Sequence, residues 1–176
     1  MHGVAMTERQ ARRFKALVWC PASNYFLLDQ TAPINKLRNH TTILFGTDST
    51  LTASWDAWAQ IRMALQDIDE PELLSMLTTN PASAWGLTDR GQIEKGLRAD
   101  LLITHNKSLS TLTPDDIVLV LHQGKIVLFD PELKNKIPSS NHQIGPNGKY
   151  VSGDINGLMQ QIRSYTNGYA SPLFLS

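Results

Sequence analysis

An α/β fold followed by a small all-β module is the expectation from the sequence, and three observations lead to it. Two short apolar runs, Leu17 to Cys20 and Thr42 to Phe45, are stopped by Pro21 and Gly46. Their length and their β-branched or aromatic content are those of buried strands. Between them, Ala32 to Arg38 carries Pro33 where a first helical turn tolerates proline, with Ile34 and Leu37 three apart. Strand, helix, strand is the unit of a parallel sheet. The third observation is a change of character at Gly91, after which short β-rich runs alternate with glycine-containing turns.

The elements follow in order. Thr7 to Lys15 reads as an amphipathic helix ahead of the first strand. After the second strand, Ser54 is placed to cap a helix whose Trp55, Trp58, Ile61, Leu65 and Ile68 keep helical spacing, with Asp56 well sited for the dipole. A further helix starts near Pro71 and carries Leu73, Leu74 and Leu77. Asn80-Pro81 restarts the chain into a short helix with Trp85 on it and Gly86 at its C-cap. Beyond Gly91, the segments Gln92-Ile93, Leu101 to Ile103, Ile117 to Leu121 and Ile126 to Phe129 read as strands, the last two joined at Gln123-Gly124. Pro131 to Val151, with Pro138, Pro146 and Gly148, reads as a long loop. Asp154 to Tyr165 reads as a final helix, with Ile155, Leu158, Met159 and Ile162 on one face. The chain thus divides into residues 1–88, 89–130 and 131–176.

Composition narrows the function classes. The 176 residues are 41% hydrophobic and 18% charged, enough for a packed core. Sixteen basic residues balance sixteen acidic ones, and no run of either sign offers the footprint of a nucleic-acid binder. No apolar run approaches the ~20 residues of a membrane helix, and Met1 to Gln10 lacks the apolar core of a signal peptide. The expectation is a soluble cytoplasmic protein. The lone Cys20 cannot form an intrachain disulfide and reads as a buried inert thiol.

Chemistry is expected at the rim of the parallel sheet. Asp48, in Gly46-Thr47-Asp48-Ser49, directly follows a strand, and α/β folds place their sites at the C-terminal ends of their strands. An aspartate there either ligates a metal with one oxygen and accepts a proton from water with the other, or simply caps the following segment. Ser23 and Asn24 follow the other strand in the same way and either bond a substrate or hold a loop. His2, if a preceding strand ended there, would share that rim as a metal ligand or a partner of the attacking water; the alternative is a frayed residue with no role. His40, His105, His122 and His142 lack ligand spacing and read as surface residues. No glycine-rich phosphate loop, cysteine cluster or His-Glu-x-x-His sequence occurs.

Taken together, His2-Gly3, Cys20-Pro21-Ala22-Ser23-Asn24, Gly46-Thr47-Asp48-Ser49, Thr79-Asn80-Pro81-Ala82 and Gly91-Gln92-Ile93 running on to Gly96 and Ala99-Asp100-Leu101 resemble the amidohydrolase superfamily, in its cytosine-deaminase, guanine-deaminase and chlorohydrolase-like branch. The resemblance covers roughly residues 1 to 130. It implies the C-terminal part of a (β/α)8 TIM-like barrel followed by a small β-sandwich module. His2 would end strand six, Leu17 to Cys20 would be strand seven and Thr42 to Phe45 strand eight. Asp48 then matches the strand-eight metal ligand and base, and His2 the strand-six histidine. Asp100 would bond backbone rather than substrate.

The implied cofactor is a divalent metal, zinc first, with iron or manganese also suited. The implied reaction is hydrolysis of a non-peptide C–N bond of a small-molecule substrate. The family's His-x-His pair, its strand-five histidine and its glutamate proton shuttle have no counterpart here. Asp48 and His2 supply two ligands where catalytic zinc takes three from the protein, so the chain alone is expected to bind metal poorly and to be inactive. It would be a hydrolase fragment, or a non-catalytic half-barrel that pairs with a missing N-terminal barrel portion or forms a homo-oligomer. An independent α/β binding domain is a third reading.

Overall fold

The computed structural model describes residues 2–138, 141–145 and 148–165. Its chain is mixed α/β and divides into two compact units, residues 1–98 with 106–112, and 99–105 with 113–176.

The first unit opens with a single helical turn, α1 (Glu8–Ala11), shorter than the helix expected over Thr7 to Lys15. A capping box between Thr7 and Gln10 starts it, and it leads directly into β1 (Ala16–Trp19). Two helices, α2 (Pro21–Leu28) and α3 (Ile34–Leu37), then carry the chain to β2 (Thr42–Phe45), which pairs parallel to β1 in the register Ala16↔Thr42 to Trp19↔Phe45. Alternate residues Leu17, Trp19, Ile43 and Phe45 lie on the face packed against Ala11, Ala32, Ile34, Leu37, Ile61 and Met76. On the other face Val18 is 48% exposed. Leu44, its partner on β2, is nevertheless buried on that face, so the burial on both faces that the continuous apolar runs predicted holds for β2, while β1 is open on one face among the described residues.

The sequence reading placed Ser23 and Asn24 in a turn; both lie in α2 instead. Its consecutive Phe26, Leu27 and Leu28 are all exposed, so no apolar stripe announced the helix. Pro21 at its first position was the available signal.

Three helices complete this unit. The first, α4 (Ala57–Ala64), is capped by Asp56, whose Oδ1 accepts from Trp58 N at 2.9 Å. Ser54, the expected cap, instead accepts from Asp56 N, and Trp55 is exposed ahead of the helix. The second, α5 (Glu70–Leu77), is capped by Asp69, and the third, α6 (Thr79–Trp85), ends at Gly86 in the left-handed region. Asn80 at the start of α6 donates from Nδ2 to Ile43 O at 2.9 Å, tying this helix to β2. Gln92-Ile93 forms no strand, and Ile93 is almost fully exposed. A single β-branched residue gains nothing from extended structure when no neighbouring strand receives it.

The second unit is a five-stranded antiparallel sheet of β3 (Leu101–Thr104), β4 (Ile117–His122), β5 (Lys125–Phe129), β6 (His142–Ile144) and β7 (Tyr150–Ser152), in the order β3-β4-β5-β7-β6. Positive φ at Gln123 (52°) and Gly124 (76°) forms the tight β4–β5 turn. Asp100 Oδ1 accepts from Gln123 N at 2.7 Å and so holds that turn.

The region expected to be loop from Pro131 to Val151 contains β6 and β7. Their three-residue length and weak alternation hid them, and the Pro146 portion of that expectation lies outside the described residues. His142 is not a surface residue. Its Nε2 lies 3.1 Å from Ile126 O, and its ring meets Phe129 edge-on at 5.1 Å. The last helix, α7 (Ile155–Tyr165), has no buried residue, and Leu158 is half-exposed. It is fixed at its start by Asp154, which accepts from Gly157 N, and by Gln143, whose Oε1 accepts from Asn156 N.

Lys149 is a buried charge of this unit. Its Nζ donates to Ile117 O at 2.7 Å, Asp115 O at 3.0 Å and Asp130 Oδ2 at 3.0 Å, so all three protons are placed. Asp130 is held below the usual carboxylate range by the Glu132 amide first and the Lys149 ammonium second. A lowered folded-state value contributes stability above the unfolded value of about 3.9, and that stability is lost as pH falls through the folded value. Lys149→Met should destabilise this unit by about 3 kcal/mol, because it leaves a carboxylate and two carbonyls without their donor. It should also flatten the decline in stability below about pH 4. Urea unfolding followed through the Phe129 and Tyr150 ring signals measures both effects, and a change under about 0.5 kcal/mol would refute the assignment.

Candidate functional site

Parallel pairing brings the C-terminal ends of β1 and β2 side by side. Trp19 lies opposite Phe45, and Gly46 N donates to Trp19 O at 2.9 Å. The next residues on each chain, Cys20 and Gly46, are therefore neighbours. A Cβ on Gly46 would stand 2.6 Å from Val18 Cγ1 and 2.9 Å from Cys20 Sγ, so only glycine lets the two chains approach this closely without displacing them. Two residues further on is Asp48, with φ at +57°.

His2 reaches the same place from the N-terminal turn. Its Nδ1 is 3.7 Å from Asp48 Oδ2, with side chains 20% and 34% exposed. That distance exceeds a hydrogen bond, so the contact commits neither donor atom. An ion pair this exposed adds little stability, and fold energetics do not account for it.

Backbone geometry bears on the same two residues. Four described non-glycine residues have positive φ: His2 (53°), Asp29 (52°), Asp48 (57°) and Gln123 (52°). Asp29 is the left-handed C-cap of α2 and Gln123 sits in a hairpin turn, two places where this conformation is routine. His2 begins a turn with Gly3, itself at 70°, whereas Asp48 has no such structural reason. Strained backbone held in place by its surroundings is a mark of functional positions.

Ser23 and Asn24 are fully buried and face the interior. Ser23 Oγ is 2.7 Å from Thr52 Oγ1, and Thr52 Oγ1 donates to Ser49 O at 3.2 Å. Asn24 Nδ2 donates to His2 O at 3.3 Å and to Thr31 Oγ1 at 3.2 Å, while Trp19 Nε1 donates to the same Thr31 oxygen at 2.7 Å. Sequence reading missed Thr31 and Thr52. Each works across a gap in the chain with no local pattern to mark it.

Cys20, expected to be buried and inert, is only half-buried. Burial and then the charge of Asp48 push its thiol above the ordinary value, which keeps it protonated and a poor nucleophile. The strand register, once known, predicts this neighbourhood.

Comparison with known proteins supplies the family. The model of the amidohydrolase family matches residues 1–128, which include His2, Cys20, Ser23, Asn24 and Asp48. The chain belongs to the amidohydrolase family. Among solved structures, an adenosine deaminase from Xanthomonas campestris with bound zinc superposes with a TM-score of 0.69 at 21% identity, covering 94% of this chain and 41% of that one. An aminofutalosine deaminase from Helicobacter pylori (TM-score 0.59, 22% identity) covers 72% of this chain and 37% of its own. A triazine hydrolase from Arthobacter aurescens (0.56, 22%) covers 72% and 34%. At these identities the likeness is one of fold, and the chain spans about two fifths or less of each structure. No curated protein sequence matches it. No helix among the described residues is long and apolar enough to cross a membrane.

The geometry predicts a chemical readout. Asp48→Asn removes the charge that raises Cys20 but leaves the burial that raises it more. Alkylation of Cys20 at pH 8 should accelerate, by less than about tenfold. An unchanged rate would mean that the carboxylate does not face the thiol.

Proposed function

We propose that this chain is the C-terminal portion of a metal-dependent amidohydrolase that hydrolyses non-peptide C–N bonds of a small molecule, in its preferred form the deamination of a heterocycle, and that the isolated chain is inactive. The observation that carries the reading is His2 and Asp48 converging, 3.7 Å apart, at the C-terminal ends of two parallel strands within the segment that the family model matches. In this reading residues 1–88 are a partial barrel, with His2 closing strand six and β1 and β2 as strands seven and eight of a (β/α)8 barrel. Residues 89–130 are a segment of a β-sandwich, whose sheet β6 and β7 extend ahead of α7. The protein would be cytoplasmic.

The two donors fit one ion. Zinc–nitrogen and zinc–oxygen bonds of about 2.0–2.2 Å each span roughly 4.2 Å together, more than the 3.7 Å that separates His2 Nδ1 from Asp48 Oδ2. A histidine with a carboxylate suits zinc, and also iron or manganese. Among the described residues no group of three or more His, Cys, Asp or Glu could hold a metal, so these two would act beside ligands from the rest of the barrel. When bound, the metal would bring the pKa of a water toward neutrality. Asp48 would bind through one oxygen and accept that water's proton at the other. His2 would bind through Nδ1, or orient the attacking water. Deamination of a heterocycle then needs a second proton donor for the leaving ammonia, which the rest of the barrel would supply.

Zinc titration of the purified chain followed by calorimetry tests this. Weak binding to the unaltered chain should fall in Asp48→Asn and in His2→Ala by more than the about 10–100-fold that changes around a metal's ligands produce. Binding that both substitutions leave intact would overturn the assignment of the pair.

The second reading, a non-catalytic half-barrel that pairs with another chain or with itself, is favoured by Val18, 48% exposed in the middle of β1, in a sheet of two strands among the described residues. Unpaired strand edges recruit partners. Light scattering should then find the chain heavier than its 19.6 kDa, and Val18→Lys should return it to that mass. A cooperatively melting monomer would remove this reading.

A further inference from the structure

Resting on the assignment of His2 and Asp48 as the site pair, we infer that Ser23 and Asn24 form a two-pronged positioning device, in which one residue fixes the Asp48 loop and the next fixes the His2 turn. Both are adjacent in the first turn of α2 and fully buried, so neither side chain is a contact for substrate.

The proton count gives each prong its direction. Thr52 Oγ1 gives its one proton to Ser49 O at 3.2 Å, so Ser23 must be the donor in the 2.7 Å contact between the two hydroxyls. The chain of bonds Ser23 to Thr52 to Ser49 O ends on the Ser49–Thr50 peptide, one residue beyond Asp48. Thr52 N also donates to Ser49 O at 3.0 Å, closing a turn directly after the strained aspartate.

The second prong is fixed in the same way. His2 O can only accept, so the amide of Asn24 must present Nδ2 to it and cannot be flipped. The other Nδ2 proton goes to Thr31 Oγ1, which also accepts from Trp19 Nε1 at 2.7 Å. Trp19 is the last residue of β1 and fully buried. The His2 turn is therefore referenced, through Asn24 and Thr31, to the end of the strand beside which Asp48 emerges.

This arrangement leaves Asn24 Oδ1 buried with no hydrogen-bond partner among the described residues. An orphaned buried acceptor is destabilising, so a residue chosen for stability alone would be apolar at this position. Nδ2 placement requires the amide, and its oxygen comes with it. The left-handed backbone at His2 and Asp48 explains why two clamps are present: each strained residue has one bonded to its own peptide or to the next.

Amide hydrogen exchange by NMR on the full chain tests the inference. Two amides report separately: Thr52 N, bonded to Ser49 O, and Met6 N, bonded to Gly3 O in the His2 turn. In Ser23→Ala, Thr52 should exchange about tenfold faster, the scale of one lost hydrogen bond, with Met6 unchanged. Thr52→Val should do the same from the other side and serves if Ser23→Ala does not fold, and Ser23→Thr, which keeps the hydroxyl, should restore protection. In Asn24→Ala or Thr31→Val, Met6 should accelerate with Thr52 unchanged. A merely structural role would move both amides together through global stability, and that outcome, or no change in either, would overturn the inference. Broadening of the His2 and Asp48 signals by added Mn²⁺ is recorded on the same samples. Its absence in the unaltered chain would remove the metal reading while the selective split still decides the positioning role.

Discussion

Everything at the candidate site depends on one pairing, the parallel register of β1 with β2. Four residue pairs, Ala16↔Thr42 to Trp19↔Phe45, set which residues stand beside one another at the strand ends. A slip of β1 by one residue would turn Leu17 and Trp19 away from the helical core and send Val18 into it. Trp19 is completely buried, which makes such a slip costly on the scale of a large side chain's burial. The same register places Cys20 next to Gly46 and lets Asp48 follow. Core packing and site geometry are thus fixed by one set of hydrogen bonds, which the helices α5 and α6 secure from the β2 side, with Asn80 bonded to Ile43 O.

The second unit is organised differently. Its sheet is antiparallel throughout, so its register comes from tight turns and side-chain contacts rather than from crossover helices. Phe129 and Tyr150 stack at 4.9 Å and 6° between β5 and β7, and Lys149, next to Tyr150 in the chain, bonds Asp130, next to Phe129. An aromatic pair and a buried ion pair one residue apart lock the two strands in register. The ion pair adds specificity to what stacking alone would leave free to slide.

How much of this was legible in the sequence follows from the range of the interactions involved. The strands β1, β2, β4 and β5 could be read because each is a short apolar run bounded by a proline, glycine or hairpin dipeptide. The cap of α6 at Gly86 was legible for the same local reason, while the backbone role of Asp100 was implied by the family resemblance. By contrast α2 was hidden, since its apolar residues do not fall on one face, and β6 and β7 were hidden because three residues cannot display a period. At the site, Asp48 could be singled out because it follows a strand directly. Ser23 and Asn24 could be singled out by position, but the choice between holding a loop and meeting a substrate turned on partners 29 and 22 residues away. Thr31 and Thr52 offered no signal at all, being ordinary threonines in polar segments.

His2 and Asp48 show why such a site needs support beyond its own residues. A non-glycine residue in the left-handed region costs of order 1–3 kcal/mol, and two such residues face each other here. Their mutual attraction is too long for a hydrogen bond and too exposed to offset that cost. The pair must therefore be held from behind, and the bonds that reach it come from α2 and from the end of β1. What this arrangement gains is that His2 Nδ1 and Asp48 Oδ2 stay near one another without being committed to one another. Two uncommitted donors fixed at the separation a cation can bridge are what a metal site requires before the metal arrives. In the amidohydrolase reading, the strain is the cost of keeping them so.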